Sequence, residues 1–124
     1  MRVNIYFAVG LGGIIGSLAR YMVSLLIHSE LPYATFSVNI IGCFLLSFIM
    51  HHRKIKRTFS TTVLTAVQTG VIGSFTTFST FTTETIELVN QHIFLALSYI
   101  LLSIFCGLFG NYLGYQCASK QVDV

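Results

Sequence analysis

Gly73 to Phe81 reads Gly-Ser-Phe-Thr-Thr-Phe-Ser-Thr-Phe, a run of hydroxyls and aromatic rings in the middle of an otherwise apolar segment of membrane length. These groups can handle an ion without a fixed charge. Hydroxyls donate to an anion, and a Phe ring carries a positive edge that an anion can approach. Extended to Thr83, the run holds eleven residues, seven of them Ser or Thr, three Phe and one Gly. β-Branched and aromatic side chains lose χ1 freedom in a helix and Gly adds backbone entropy, so a break near the middle of the helix is expected. Carbonyls freed around Gly73 to Thr76 can coordinate a small hard cation, while amides of the following half-helix can donate to an anion. Broken backbone at membrane depth persists only where protein or a wet cavity satisfies it. A Phe in a membrane span is also ordinary packing, and the residues alone leave the roles of Phe75, Phe78 and Phe81 open.

Other polar residues fall inside apolar stretches. Arg20 lies within the first, where a central charge costs about 2.5–3.5 kcal/mol on insertion scales and calls for a partner, an aqueous vestibule or an escape to the headgroups. Asn39 sits near the middle of the second, as an amide donor or as glue between helices. In the last stretch Tyr99, Ser103, Gly107 and Asn111 recur every four residues, which puts three polar groups on one helix face. Ser hydroxyls also bond back to their own helix, so the stripe alone is weak support for a path.

The elements that must position these groups follow from composition. The chain has 124 residues, 54% hydrophobic and 9% charged, with one Pro, too apolar for a soluble domain of this length. Four stretches reach the roughly 20 apolar residues of a bilayer crossing: Ile5 to Ile27, Pro32 to Met50, Thr61 to Val89 and Ile93 to Cys117. The expected architecture is an all-α membrane protein with four transmembrane helices in one domain, residues 1–124. The connections, His28 to Leu31, His51 to Ser60 and Asn90 to His92, leave no room for an extramembrane domain or a nucleic-acid surface. The first stretch is too long for a signal core and lacks a small-residue cleavage site, so it is expected to remain as a span. Paired carboxylates, a nucleophile elbow and a phosphate loop are all absent, which argues against an enzyme. Cys43, Cys106 and Cys117 lack metal-ligand spacing and are read as small packing residues. Gly10, Gly12, Gly13 and Gly16 read as a close-packing face on the first helix, not as a nucleotide loop.

With four crossings, Arg2, Arg53, Lys54, Lys56, Arg57 and Lys120 share one side, and the opposite loops carry no Lys or Arg. The positive-inside rule then places both termini in the cytoplasm of a multi-pass plasma-membrane protein, with the His51 to Arg57 run as a topology anchor among anionic headgroups of membrane lipid.

Gly-Gly-Ile-Ile-Gly-Ser-Leu-Ala-Arg-Tyr (Gly12 to Tyr21), Thr-Phe-Ser-Val-Asn-Ile-Ile-Gly (Thr35 to Gly42) and the Gly73 to Phe81 run together resemble the Fluc (CrcB) family of fluoride channels. The likeness extends over nearly the whole chain. It implies an antiparallel dimer with two fluoride pores and a central structural sodium ion held at the break by the backbone carbonyls of Gly73 and Thr76. It also implies that Phe78 and Phe81 turn ring edges to fluoride, that Asn39 is the pore-lining amide, and that Tyr99 and Ser103 form a polar track. Glu84 would sit near a pore mouth, and Arg20 would be the charged residue of the first helix. Gly107 departs from the family, in which a further hydroxyl is common. The implied activity is passive: fluoride that enters as neutral HF dissociates inside and leaves as the anion, driven by the membrane potential.

Two rivals come from other classes. A small multidrug exporter would want a carboxylate in the first span, where this chain has Arg20 and no acid. A structural subunit of a larger membrane complex explains the packing glycines but not the hydroxyl and Phe run. Charge carries one more expectation. A homodimer of antiparallel subunits needs nearly balanced Lys and Arg on its two sides, and six against none favours a heterodimer with a related subunit of opposite bias.

Overall fold

The computed structural model describes residues 2–121, with the side chains of Arg2 and Val3 outside the described set. It is helical, with no strand among the described residues. Helix α1 runs Arg2–Leu26, α2 Tyr33–His51, α3 Arg53–Thr58 and α4 Thr61–Thr65. A π-helical segment, Ala66–Ile72, continues α4 into the short α5, Gly73–Phe75, and α6 (Ser79–Gln91) and α7 (Ile93–Lys120) complete the chain. Three helices are long and apolar enough to cross a membrane, at Asn4–Leu26, Tyr33–His51 and Ile93–Lys120. The segment from Thr61 to Val89 is divided among α4, the π segment, α5 and α6.

Local chemistry sets the joints. Pro32, which has no N–H to lose, stands before α2. The linker after α2 holds a helix where a plain connection was expected. His52 takes an extended conformation and its ring accepts the Ile55 N–H at 3.2 Å, starting α3. Ser60 accepts the Val63 N–H to start α4. A single extended residue, His92, separates α6 from α7.

Small residues decide the packing, as they must where apolar side chains gain little by leaving lipid. Gly12 and Gly16 on α1 lie against the backbone of Ala66 to Val71, and a methyl group on Gly70 would stand 2.6 Å from the Val9 carbonyl. Gly10 has nothing near it, so the close-packing face is narrower than the four glycines suggest. On the other side α7 lies along α2, where Gly110 faces the Ile40 carbonyl and Gly114 the Phe44 carbonyl. Leu88, Ala96 and Tyr99 form a buried cluster, joined by Phe36 and Phe81, that ties α6 to α7 and α2. This arrangement suspends the Gly73 to Phe81 run between α1 on one side and α2 with α7 on the other.

Candidate functional site

The backbone leaves helical geometry at Thr76, which has φ −79° and ψ 160°, and resumes it at Ser79. Side chains divert the amides that an unbroken helix would use to satisfy its carbonyls. The donor to the Gly73 carbonyl would be the Thr77 N–H, which instead goes to Asn39 Oδ1 at 2.8 Å. The donor to the Thr76 carbonyl would be the Thr80 N–H, which goes to Thr77 Oγ1 at 3.1 Å. Asn39 completes its grip on Thr77 by donating Nδ2–H to the Thr77 carbonyl at 3.0 Å. Arg20 Nε donates to the Ser74 carbonyl at 3.1 Å, so the intramembrane guanidinium is paired with a carbonyl at the end of α5. The carbonyls of Gly73 and Thr76 are thus released from backbone helical bonding at one place, the first keeping a 3.5 Å contact from Thr76 Oγ1, and two such carbonyls could hold a small hard cation.

A cavity of about 420 Å³ opens beside this point, lined by Asn39, Gly73, Thr76, Phe78, Phe81 and Ser103 among others. Six of the residues singled out in the sequence therefore meet around one space, although they come from α2, α7 and both sides of the interruption. A second cavity, about 330 Å³, holds Arg20 and Glu84, and Thr77 borders both spaces. Glu84 accepts from Thr35 Oγ1 at 2.8 Å and from the Tyr99 hydroxyl at 2.9 Å, one bond to each carboxylate oxygen. Tyr99 lies beside Phe81, ring centroids 5.0 Å apart, and Phe81 beside Phe78 at 6.0 Å. Phe78 is 80% exposed on the single chain.

Most hydroxyls of the run are not free to donate. Thr82 and Thr83 give their single O–H to the carbonyls of Phe78 and Ser79, Thr76 gives its own to Ile72 at 3.0 Å, and Thr77 gives its own to Thr80 Oγ1 at 3.0 Å. The donors left for a guest are fewer, and two of them come from the neighbouring helices α2 and α7. Asn39 keeps a second N–H, and Ser103 Oγ is buried with no hydrogen-bond partner while its residue lines the larger cavity. Further along the α7 stripe, Gly107 faces Cys43 and Asn111 is exposed. Reasoning from sequence missed Thr35, Thr77 and Gln68. Thr35 is one turn from Asn39 on the same helix face, a signal that was available. Gln68, a lone amide in an apolar stretch, also lines the larger cavity. Thr77 owes its importance to Asn39 and carries no mark of its own.

The sequence profile described as "CrcB-like protein, Camphor Resistance (CrcB)" matches residues 7–115. The chain belongs to the CrcB family. Among curated CrcB relatives, "Fluoride-specific ion channel FluC 1" of a Bacillus cereus strain is 42% identical over 120 residues, covering 93% of this chain and 88% of the relative. "Fluoride-specific ion channel FluC 2" of Listeria innocua is 44% identical over 117 residues, covering 93% and 91%. These CrcB relatives are named as channels and not as enzymes, and the three apolar helices agree with a membrane protein.

One steric detail at this site of the CrcB chain is open to test. A methyl group on Gly42 would run into Thr76 Cγ2, a β-branched methyl that cannot swing away, whereas the next atoms, Thr76 Cβ and Ile72 Cγ2, stand at 3.6 and 3.8 Å. Gly42→Ala alone is therefore expected to cost about 1–3 kcal/mol. Thr76→Ser removes the colliding methyl while keeping the hydroxyl bond to Ile72. Thermal melts of the single and double variants check this: Gly42→Ala/Thr76→Ser should recover most of the lost stability, and an additive loss would contradict the packing.

Proposed function

We propose that this chain is one subunit of a fluoride-selective channel that lets fluoride leave the cytoplasm passively, with Thr61 to Val89 as a fourth, interrupted crossing. The observation that carries the reading is the larger cavity, where a spare amide N–H of Asn39 and the unpartnered hydroxyl of Ser103 share a wall with the rings of Phe78 and Phe81. Fluoride is small and strongly hydrated. A selective path must replace its water with close donors that do not hold it permanently, as a fixed Lys or Arg at the narrow point would. Arg20 and Glu84 stand in the neighbouring cavity, the guanidinium to attract the anion and the carboxylate engaged by Thr35 and Tyr99. The names of the 42–44% identical relatives support the same substrate.

The carbonyls of Gly73 and Thr76 suit a sodium ion, which would stabilise the interrupted backbone beside the Ser74 carbonyl that Arg20 already holds. The high exposure of Phe78 suits cover by a second, antiparallel subunit. Six Lys and Arg on one side against none on the other support insertion in a single orientation, termini inside, and pairing with a related chain of opposite bias.

The test is to express the chain alone and with such a partner, map its termini, and follow fluoride efflux from liposomes with a fluoride electrode, in sodium and in a bulky organic cation. Expressed alone it should insert one way and conduct poorly, and with the partner it should release fluoride but not chloride, faster when sodium is present. Absence of fluoride efflux in both preparations would remove the channel reading. Dual orientation with full flux from the chain alone would remove only the heterodimer, and indifference to sodium only the cation.

A further inference from the structure

At the end of the bundle remote from Glu84, a cavity of about 650 Å³ lies between α3 and the last turn of α7, bordered by Arg53, Lys54, Arg57 and Lys120. We propose that it is a binding site for one anionic phosphodiester, the headgroup of a membrane phospholipid. Four cations surround the space and no carboxylate is among its described lining residues. Among the described residues, the acids Glu30, Glu84 and Glu87 border cavities at the opposite end of α2, about 28 Å away at 1.5 Å rise per residue. Cations gathered in one place repel one another, and a phosphate relieves this, with Arg able to bind it through two parallel N–H bonds.

The cluster is held in place. His52 is buried and accepts the Ile55 N–H through Nδ1, while Nε2 bonds the Gln121 side chain, which joins the start of α3 to the end of α7. Since Nδ1 accepts, Nε2 is the nitrogen left to donate to Gln121 Oε1. One residue earlier, His51 Nδ1 donates to the Ser47 carbonyl and its ring meets Tyr115 edge-on at 4.9 Å. Two clasps thus fix the backbone from which the cationic side chains project, so that less freedom is lost on binding.

The location selects a lipid over a free anion. α2 and α7 are both membrane-length and both finish here, which puts the cavity at headgroup depth. Ile55 and Phe59, one turn apart on or just after α3, give that segment an apolar edge, Phe59 being 50% exposed. A short interfacial helix of this kind rests its apolar edge among acyl chains while its cations reach the phosphates.

Detergent-purified full-length protein can be titrated with phosphatidylglycerol, or with phosphatidylcholine of the same acyl chains, with retained lipid counted by native mass spectrometry. The expected result is one tightly held phosphatidylglycerol per chain, bound about tenfold or more tightly than phosphatidylcholine. Arg53→Gln/Arg57→Gln/Lys120→Gln should weaken it by on the order of a hundredfold, about fivefold for each cation removed. Lys56→Gln takes a charge from the same helix but not from the cavity, and should change little. Gln121→Ala keeps every cation and opens the clasp, so it should still weaken phosphatidylglycerol, a result that does not depend on the triple variant folding. Equal binding of the two lipids, or a loss in Lys56→Gln as large as in Arg53→Gln, would overturn the site. Displacement of phosphatidylglycerol by millimolar inorganic phosphate would overturn the lipid assignment.

Discussion

Phe78→Ile is expected to slow fluoride flux through the reconstituted assembly by about thirtyfold or more while leaving the melting behaviour of the subunit on its own nearly unchanged. The two readouts separate because of where the ring sits. It is 80% exposed on the chain and touches mainly Phe81, so its removal opens no internal cavity, and exposed substitutions usually stay within about 0.5 kcal/mol. What Ile cannot supply is the electropositive ring edge on the cavity wall. A cation over a ring face out of water gains about 2 kcal/mol from the ring quadrupole; an anion at the edge meets the opposite pole of the same quadrupole, and a loss of that size at a barrier is about thirtyfold in rate. Phe81→Ile should behave differently. Its ring packs against Tyr99 beside the Leu88 and Ala96 cluster, so flux and stability should fall together. Parental flux in Phe78→Ile would make this ring a lipid-facing or subunit-facing contact and move the path elsewhere on the cavity wall.

Asn39→Asp should be still more damaging, abolishing flux and lowering stability at once. The carboxylate keeps an acceptor for the Thr77 N–H, but its other oxygen replaces the donor now 3.0 Å from the Thr77 carbonyl. Acceptor then faces acceptor in a part-buried setting, and a stranded polar group of this kind costs about 1–3 kcal/mol, more when charged. The Asp also removes the spare N–H offered to the cavity and adds a negative charge where an anion must pass. Flux and thermal melts measured together decide between its two roles. Lost flux with parental stability would mean that Asn39 serves the ion and not the backbone, whereas parental flux with lower stability would leave it as a backbone clamp alone.

The interruption itself shows how these two roles are linked. Helix-poor residues weaken the segment, but the structure adds the positive reason that it opens at Thr76–Phe78. The amides needed to continue are taken by Asn39 Oδ1 and by Thr77 Oγ1. The same diversion releases the carbonyls of Gly73 and Thr76. Backbone geometry and the proposed ion chemistry at this point therefore share one cause.

Much was legible in the residues one after another, because hydropathy, charge and helix propensity are properties of neighbours along the chain. Apolar stretches long enough to cross, the lopsided distribution of Lys and Arg, the polar group in each stretch and the family likeness all follow from local composition and order. The partners did not. Arg20 finds the Ser74 carbonyl 54 residues on, Thr35 finds Glu84 49 on, and Asn39 finds Thr77 38 on. Each pairing depends on how far one helix slides and turns against another, which Gly12, Gly16, Gly110 and Gly114 set by close backbone contact. The hydroxyls make the same point. Seven Ser and Thr from Gly73 to Thr83 look like a row of donors, yet Thr76, Thr82 and Thr83 spend theirs on their own backbone. Residue type determines that a donor exists. Only the tertiary structure decides whether it is already used, because a hydroxyl has one proton to give and the nearest carbonyl takes it.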